Sequence, residues 1–195
     1  MCGLSRARFD AAVAAIDAAN ADDPTRVLVR GSEQPLALVH GRIAAEWVAL
    51  LAPGADDTVR LAARAHHLRR WELPRTEYEP GRTGYLLWKR DQRKRHADDV
   101  GVLLERVGYD AATIAAVQSA VLRQGEAGQV VEDAACLVFI ETQLAAVAGQ
   151  LDRDHLVQVI RKTAKKMSPA ALAAVGTIPL GDVEQALLAE ALATA

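Results

Sequence analysis

The chain has 195 residues, of which 51% are hydrophobic and 4% aromatic, and its formal net charge is −2. A chain of this length folds by default as one domain with a sizeable core. The scarcity of aromatic residues and the abundance of alanine disfavour a β-sandwich and favour close-packed helices. The near-neutral charge disfavours non-specific binding to duplex nucleic acid.

Cysteine usage and hydropathy suggest a compartment. Cys2 and Cys136 are far apart in the chain, which disfavours a disulfide and favours a reducing environment. No secretory signal is visible, and no apolar run approaches the ~20 residues that span a bilayer. We therefore expect a cytoplasmic protein with no membrane partner.

Helical periodicity recurs from end to end. The predicted helices are a first that ends before Asp22, a second from Pro35 to Leu50, a third over about 57–70, a fourth over roughly 83–107, a fifth from Asp110 to Gly125, a sixth over roughly 129–148, a seventh over about 153–167, a short eighth at Ser168-Pro169 and a last from near Asp182. The stretch 24–34 is a weak strand candidate. The sequence predicts a single all-α domain, 1–195, with at least seven helices and no sheet of more than two short strands.

Positive charge is concentrated between Arg60 and His96. This basic segment holds 11 Lys and Arg against four acids, a net +7, whereas the rest of the chain sums to −9. It also holds three of the five histidines. Positive charge concentrated on an otherwise acidic molecule attracts anions such as phosphate, nucleotides or nucleic acid.

Part of the basic segment has the pattern of an anion-binding groove. On the predicted third helix, Arg60, Arg64 and His67 share one face, and Trp71 follows one turn later. Arginines in such a groove would bind substrate phosphate, and we assign Arg70 to the same role. The alternative is a solvated basic face.

Three titratable groups lie on apolar stripes of different predicted helices. These are His40 on the second helix, His96 on the fourth and Asp133 on the sixth. A buried carboxylate costs several kcal/mol unless it is paired, hydrogen-bonded or bound to a metal. The alternatives are a core histidine at position 40, the edge of a solvated face at 96, and a salt bridge or helix cap at 133. The chain has no Walker loop, GxGxxG, CxxC, HExxH or GxSxG motif.

Five segments together resemble an uncharacterised family of bacteria and fungi, the domain of unknown function 4202. They are FDAAVAAIDAANADDP, RLAARAHHLRRWELPR, GYLLWKRDQRKRHA with VGYD after it, VVEDAACLVFIE and IRKTAKKMSP, and the resemblance covers roughly 9–190. It implies an all-α globular protein and no established activity.

The order His40, His67, His96, Asp133 is also distantly similar to that of HD-domain metalloproteins. Those helical proteins bind metals through His on one helix, His-Asp on a later one and a late Asp. In this chain Leu68, not Asp, follows His67, which argues against a dinuclear centre. The resemblance implies a divalent metal (Mn, Fe, Ni, Co or Zn) on His67, His96 and Asp133.

Three functions remain open. The first is a metal-dependent hydrolase or oxygenase acting on a phosphorylated small molecule or nucleotide, with Arg60, Arg64 and Arg70 binding the anion. The alternative is a non-catalytic RNA-binding protein that uses the 60–95 surface and the later basic cluster at 161–166. A helical scaffold without a ligand is a third possibility.

Overall fold

The computed structural model describes the backbone of residues 2–193 and the side chains of residues 5–193. The elements in this part of the chain are α1 (Cys2–Ala21), β1 (Arg26–Val29), β2 (Ser32–Pro35), α2 (Leu36–Leu51), α3 (Asp57–Arg64), α4 (Arg82–Val107), α5 (Ala111–Val121), α6 (Gly125–Thr142), α7 (Leu144–Ala148), α8 (Arg153–Ala164), α9 (Pro169–Val175) and α10 (Asp182–Leu192). Two short 3₁₀ turns, Arg70–Glu72 and Arg75–Glu77, lie between α3 and α4. The predicted all-α class is confirmed.

The weak strand candidate forms a β-hairpin. Strands β1 and β2 pair antiparallel, with Arg26 opposite Pro35 and Val29 opposite Ser32. Arg30 and Gly31 connect them with φ of 50° and 77°. Positive φ at both turn positions matches the right-handed twist of paired strands. The sheet is therefore as small as predicted.

The chain divides into two compact units, Met1–Val131 and Glu132–Ala195, and the boundary falls inside α6. In the first unit, α3 contacts α2 and α5, while α4 contacts α5 and α1. Its fully buried side chains include Ile16, Ile43, Leu61 and Leu104. Each such side chain stabilises the fold by about 1.5–3 kcal/mol.

The second unit is built around α8, which contacts α7 and α10. Leu156, Ile160 and Leu187 are buried there. The prediction of one domain over 1–195 stays a prediction.

Short polar side chains begin several helices as the sequence predicts. Asp110 accepts a hydrogen bond from the backbone N–H of Thr113 at the start of α5, and Ser168 accepts one from Ala171 at the start of α9. Gly108 ends α4 with φ of 86°, a left-handed conformation that glycine adopts without a steric penalty.

The predicted third helix is too long. Helix α3 ends at Arg64 rather than Arg70, and a series of tight turns follows. The ring Nδ1 of His66 donates to the carbonyl oxygen of Ala63 at 2.8 Å, and the Asn20 side chain accepts from the backbone N–H of Arg69 at 3.0 Å. Arg69 is held at φ of 49°. Side chains thus replace the helical hydrogen bonds after Arg64.

The predicted sixth helix is two helices, α6 and α7, separated at Gln143. Among the described residues, no helix is both long and apolar enough to cross a bilayer.

Candidate functional site

Four of the five histidines meet inside the first unit. His40 comes from α2, His66 and His67 from the turn after α3, and His96 from α4. The ring centroids of His66 and His67 are 4.1 Å apart, those of His40 and His67 are 5.3 Å apart, and those of His67 and His96 are 6.1 Å apart. We call these four residues the histidine cluster. Three of its members are at most 2% exposed, and His67 is half-buried.

A close approach of α2 to the end of α3 forms the cluster. A Cβ atom at Gly41 would lie 2.5 Å from the backbone oxygen of Arg64. Because glycine has no Cβ, α2 can lie against the last turn of α3. His40 precedes that glycine, and His66 and His67 follow that turn, so the contact brings them together.

Backbone carbonyls fix the tautomers of two histidines. Nδ1 of His66 is 2.8 Å from the oxygen of Ala63, and Nδ1 of His96 is 2.7 Å from the oxygen of Leu68. A carbonyl only accepts, so each Nδ1 carries the proton and each Nε2 of the neutral ring has a free lone pair. Both Nε2 atoms are buried and have no hydrogen-bond partner among the described residues. An unsatisfied buried acceptor costs about 1–3 kcal/mol, so these positions favour a donor or a cation.

His40 and His67 face each other through the same ring atom. Their Nδ1 atoms are 3.1 Å apart. One Nδ1–H can donate to the other Nδ1, which requires one ring in each tautomer.

Burial keeps the histidine cluster neutral. Burial, together with the positive charge of Arg70, lowers the pKa of His40 to about 4 and that of His96 to about 3. Burial also lowers the pKa of His66 and of His67 well below the usual range, and the next contributions come from Arg123 and from His66 respectively. All four rings therefore present lone pairs at neutral pH.

Arg70 is the one predicted anion-binding arginine that stands beside the histidine cluster. Its charge acts on His40, His67 and His96. Its guanidinium lies 4.7 Å from the centre of the Trp88 ring. Burial lowers its pKa, yet an arginine stays charged at neutral pH. Within residues 5–193, no carboxylate pairs with it.

The Arg70 turn is held by α4. The Gln92 side chain donates to the backbone oxygens of Arg70 and Leu73 at 2.8 and 2.7 Å, and the Trp88 ring N–H donates to Leu73 at 2.9 Å. The Gln92 carbonyl oxygen is buried and has no partner in the described part of the chain. Gln92 and His96 are one turn apart on α4, so this helix carries two unsatisfied acceptors.

The other two predicted anion-binding arginines have partners elsewhere. Arg64 donates to both carboxylate oxygens of Asp17 at 2.6 and 2.5 Å, joining α3 to α1. Arg60 donates to the backbone oxygen of Pro53 at 3.5 Å. The two lie on α3, whereas His67 lies beyond its end, so the predicted common helix face of Arg60, Arg64 and His67 is wrong.

Asp133 lies in the second unit and is 4% exposed. Its Oδ1 accepts a hydrogen bond from the backbone N–H of Ser168 at 2.8 Å. Ser168 caps α9, so the carboxylate supports the start of that helix. Its role as a metal ligand stays a prediction.

Part of the charge of the basic segment is paired within the fold. Arg75 donates to the loop carbonyls of Tyr78, Glu79 and Gly81. Ion pairs of the segment among the described residues include Arg64–Asp17, Arg69–Glu72, Arg90–Asp91, Lys94–Asp98, Arg95–Glu72 and Arg95–Asp99. These contacts reduce the charge available for tracking a nucleic-acid backbone.

The histidine nitrogens of the cluster meet some of the requirements of a metal site. In residues 5–193, no group of three or more His, Cys, Asp or Glu side chains is placed so that it could hold a metal ion. Neutral rings with unsatisfied lone pairs are nevertheless suitable donors. Those of His66 and His96 also have the outer hydrogen bond that orients metal-binding histidines.

The sequence predicts the inward position of His96 but not the role of His66. A helix continued to Arg70 places His66 and His67 on different sides, whereas the observed turn brings the rings together. The spacing of Gln92 and His96 on one helix face was a signal that could have identified Gln92.

The comparisons identify a family. The family model described as "Domain of unknown function (DUF4202)" matches residues 10–188. No curated protein and no solved structure matches the chain.

Proposed function

For this chain, which belongs to the DUF4202 family, we propose a metal-dependent hydrolase that acts on a phosphorylated small molecule or nucleotide. The observation that carries the proposal is the neutral, buried histidine cluster beside Arg70, whose charge no carboxylate neutralises in the described residues. Buried neutral histidines beside such an arginine are typical of a functional site, because burying these groups in a purely structural core costs free energy.

In this proposal the histidine cluster and Arg70 have different roles. The histidine cluster supplies uncharged nitrogen donors, so a divalent cation bound there keeps its full charge. Arg70 adds a further positive charge, which favours an anionic substrate. Its planar guanidinium donates to two oxygens of a phosphate at once. Trp88 and Gln92 hold Arg70 and its backbone in place.

A divalent metal, when bound, supplies a Lewis acid that lowers the pKa of a coordinated water to near 7. Within the chain, Arg70 binds and orients the phosphate, and the apolar surroundings of the cluster exclude bulk water. At least five of the eleven basic residues in the segment pair with carboxylates, which favours this enzyme over the RNA-binding alternative.

Phosphate release from a panel of phosphomonoesters and nucleotides, each with Mn²⁺, Fe²⁺, Ni²⁺, Co²⁺ or Zn²⁺, tests the proposal. We expect turnover with at least one combination of metal and substrate. Arg70→Gln should raise KM about tenfold or more, because a bidentate charged hydrogen bond is lost. Arg60→Gln is the matched control, since Arg60 contacts only the Pro53 carbonyl among described groups. Absence of turnover with every pair contradicts the proposal.

A further inference from the structure

We infer that His40 and His67 bind a single transition-metal ion through their Nδ1 atoms, with His96 Nε2 as the third ligand. This ligand set deepens the proposed function and rests on it. It consists of neutral nitrogens from the first unit and differs from the set His67, His96 and Asp133 that the sequence predicts.

The first observation is the distance between the two Nδ1 atoms. Two nitrogens that bind one metal at about 2.0–2.1 Å, with an angle between about 90° and 110°, lie about 2.9–3.4 Å apart. The Nδ1 atoms of His40 and His67 are 3.1 Å apart. Two imidazoles on one tetrahedral ion would have ring centroids about 5 Å apart, and the observed separation is 5.3 Å. The pair therefore has the spacing of two ligands before any movement.

The proton between the two rings does not prevent binding. A neutral imidazole carries one proton, on either Nδ1 or Nε2. When a cation approaches, the ring that donates through Nδ1 can change to the tautomer protonated on Nε2. Both Nδ1 lone pairs are then available, and neither ring changes charge.

His96 supplies the third donor because its tautomer is already fixed. The hydrogen bond from Nδ1 to Leu68 leaves the Nε2 lone pair free, buried and without a partner in the described residues. The centroids of His67 and His96 are 6.1 Å apart, about 1 Å more than two rings on a tetrahedral ion require. The three rings are not preassembled as a metal site in the described residues, so binding requires one ring to move towards the other two. His66 Nε2, also unpaired among the described residues, provides a fourth acceptor near the same rings.

The donor chemistry selects the metal class. Neutral imidazoles favour Zn²⁺, Ni²⁺, Co²⁺, Fe²⁺ and copper, whereas Mg²⁺ and Ca²⁺ prefer carboxylate, carbonyl and water oxygens. An anion cannot satisfy the free Nε2 lone pairs, because these atoms only accept. The histidine cluster is therefore a site for a borderline transition metal and excludes Mg²⁺ and Ca²⁺ at micromolar concentrations.

Cobalt titration of the chelator-treated full-length chain tests the ligand set. We expect a visible Co²⁺ absorption spectrum that saturates at one ion per chain and is displaced by Zn²⁺ but not by Mg²⁺. His40→Gln and His67→Gln should each lower the Co²⁺ affinity about 100-fold or more. His155→Gln is the matched control, since His155 is the exposed fifth histidine. The Co²⁺ affinity of this variant should equal that of the wild type.

Asp133→Asn separates the nitrogen-only set from the set predicted from sequence. Unchanged Co²⁺ affinity supports the nitrogen-only set, and loss of binding overturns it. If the histidine variants fail to fold, ¹⁵N resonances of the wild-type histidines give the same answer. Zn²⁺ should shift the Nδ1 resonances of two histidines and the Nε2 resonance of a third, and leave His155 unchanged.

The outcomes separate this inference from the proposed function. Metal binding without phosphate release would support the ligand set and contradict the proposed hydrolase function. Failure of both Co²⁺ and Zn²⁺ to bind, or equal loss of affinity in His155→Gln and the cluster variants, overturns the ligand set.

Discussion

Arg64 and Arg70 carry the same charge in the same basic segment, but their surroundings give them different roles. Arg64 forms two short hydrogen bonds to Asp17 and joins α3 to α1. Arg70 rests on the Trp88 ring beside the neutral histidines and has no carboxylate partner among the described residues. The first arginine therefore stabilises the fold, and the second is available to bind a ligand.

Replacing Arg64 with Ala should lower the free energy of unfolding by about 1–3 kcal/mol, because two charge-assisted, half-buried hydrogen bonds are lost. Urea denaturation measures the change. Arg60→Ala, on the same helix, should stay within about 0.5 kcal/mol of the wild type. Equal stability of the two variants would contradict the assigned role of the Arg64–Asp17 pair.

For Asp133 the sequence predicts burial correctly but does not identify the hydrogen-bond partner of the carboxylate. Its position on the apolar stripe of a helix predicts that the carboxylate is buried, and it is. The periodicity of α6 carries no information about Ser168, which is 35 positions later and whose N–H the carboxylate accepts. A partner distant in sequence is set by tertiary packing, which a one-helix argument cannot supply.

Replacing Asp133 with Ala should lower the free energy of unfolding by about 1–3 kcal/mol, because the backbone N–H of Ser168 loses its buried acceptor. Thermal unfolding followed by circular dichroism measures the effect. The exposed Asp154→Ala is the matched control and should have little effect. A destabilisation no larger than that of the control would show that the hydrogen bond contributes little.

At the scale of elements, the contact between α2 and α3 forms the candidate site. Gly41 allows α2 to approach the backbone of Arg64, and His40, His66 and His67 lie on either side of that contact. The histidine cluster thus depends on the packing of two helices as well as on its own side chains.

Gly41→Ala should destabilise the chain by about 1–3 kcal/mol, because the new methyl group would overlap a backbone oxygen that cannot rotate away. It should also weaken Co²⁺ binding, since separating the helices moves His40 from His67. Gly54→Ala is the control, because a Cβ there meets nothing within 4 Å. Full stability of Gly41→Ala, measured by urea denaturation, would contradict the close approach.

Local signals predict most helix boundaries, and the exception coincides with the site. The cap at Asp110, the left-handed Gly108 and the Ser168-Pro169 start follow from residue types alone. The end of α3 has no glycine or proline. It depends on the His66 ring and on Asn20 from α1, which bonds to Arg69 across the fold. The sequence therefore predicts most α-helices well, but it continues α3 through the turn that contains His66 and His67.

For the whole molecule, burial of neutral histidines links folding stability to pH. Four of the five histidines lie in the cluster, and burial lowers the pKa of each below the usual value. The unfolded chain binds protons near pH 6.5, whereas the folded chain binds them only at a lower pH. Their contribution to stability is therefore complete above about pH 6.5 and is lost as the pH falls.

The free energy of unfolding should decrease steadily from pH 6.5 to pH 4.5 in the metal-free protein. For His40, whose pKa falls from 6.5 to about 4, the loss over this range is about 2 kcal/mol. Carboxylates with lowered pKa values, such as Asp91 and Asp110, lose their contribution below about pH 4, so they do not account for this range. Urea denaturation at a series of pH values measures the slope. His40→Gln should flatten it and the exposed His155→Gln should retain it, whereas equal stability of the wild type at pH 6.5 and 4.5 would show that the cluster is not buried in its neutral form.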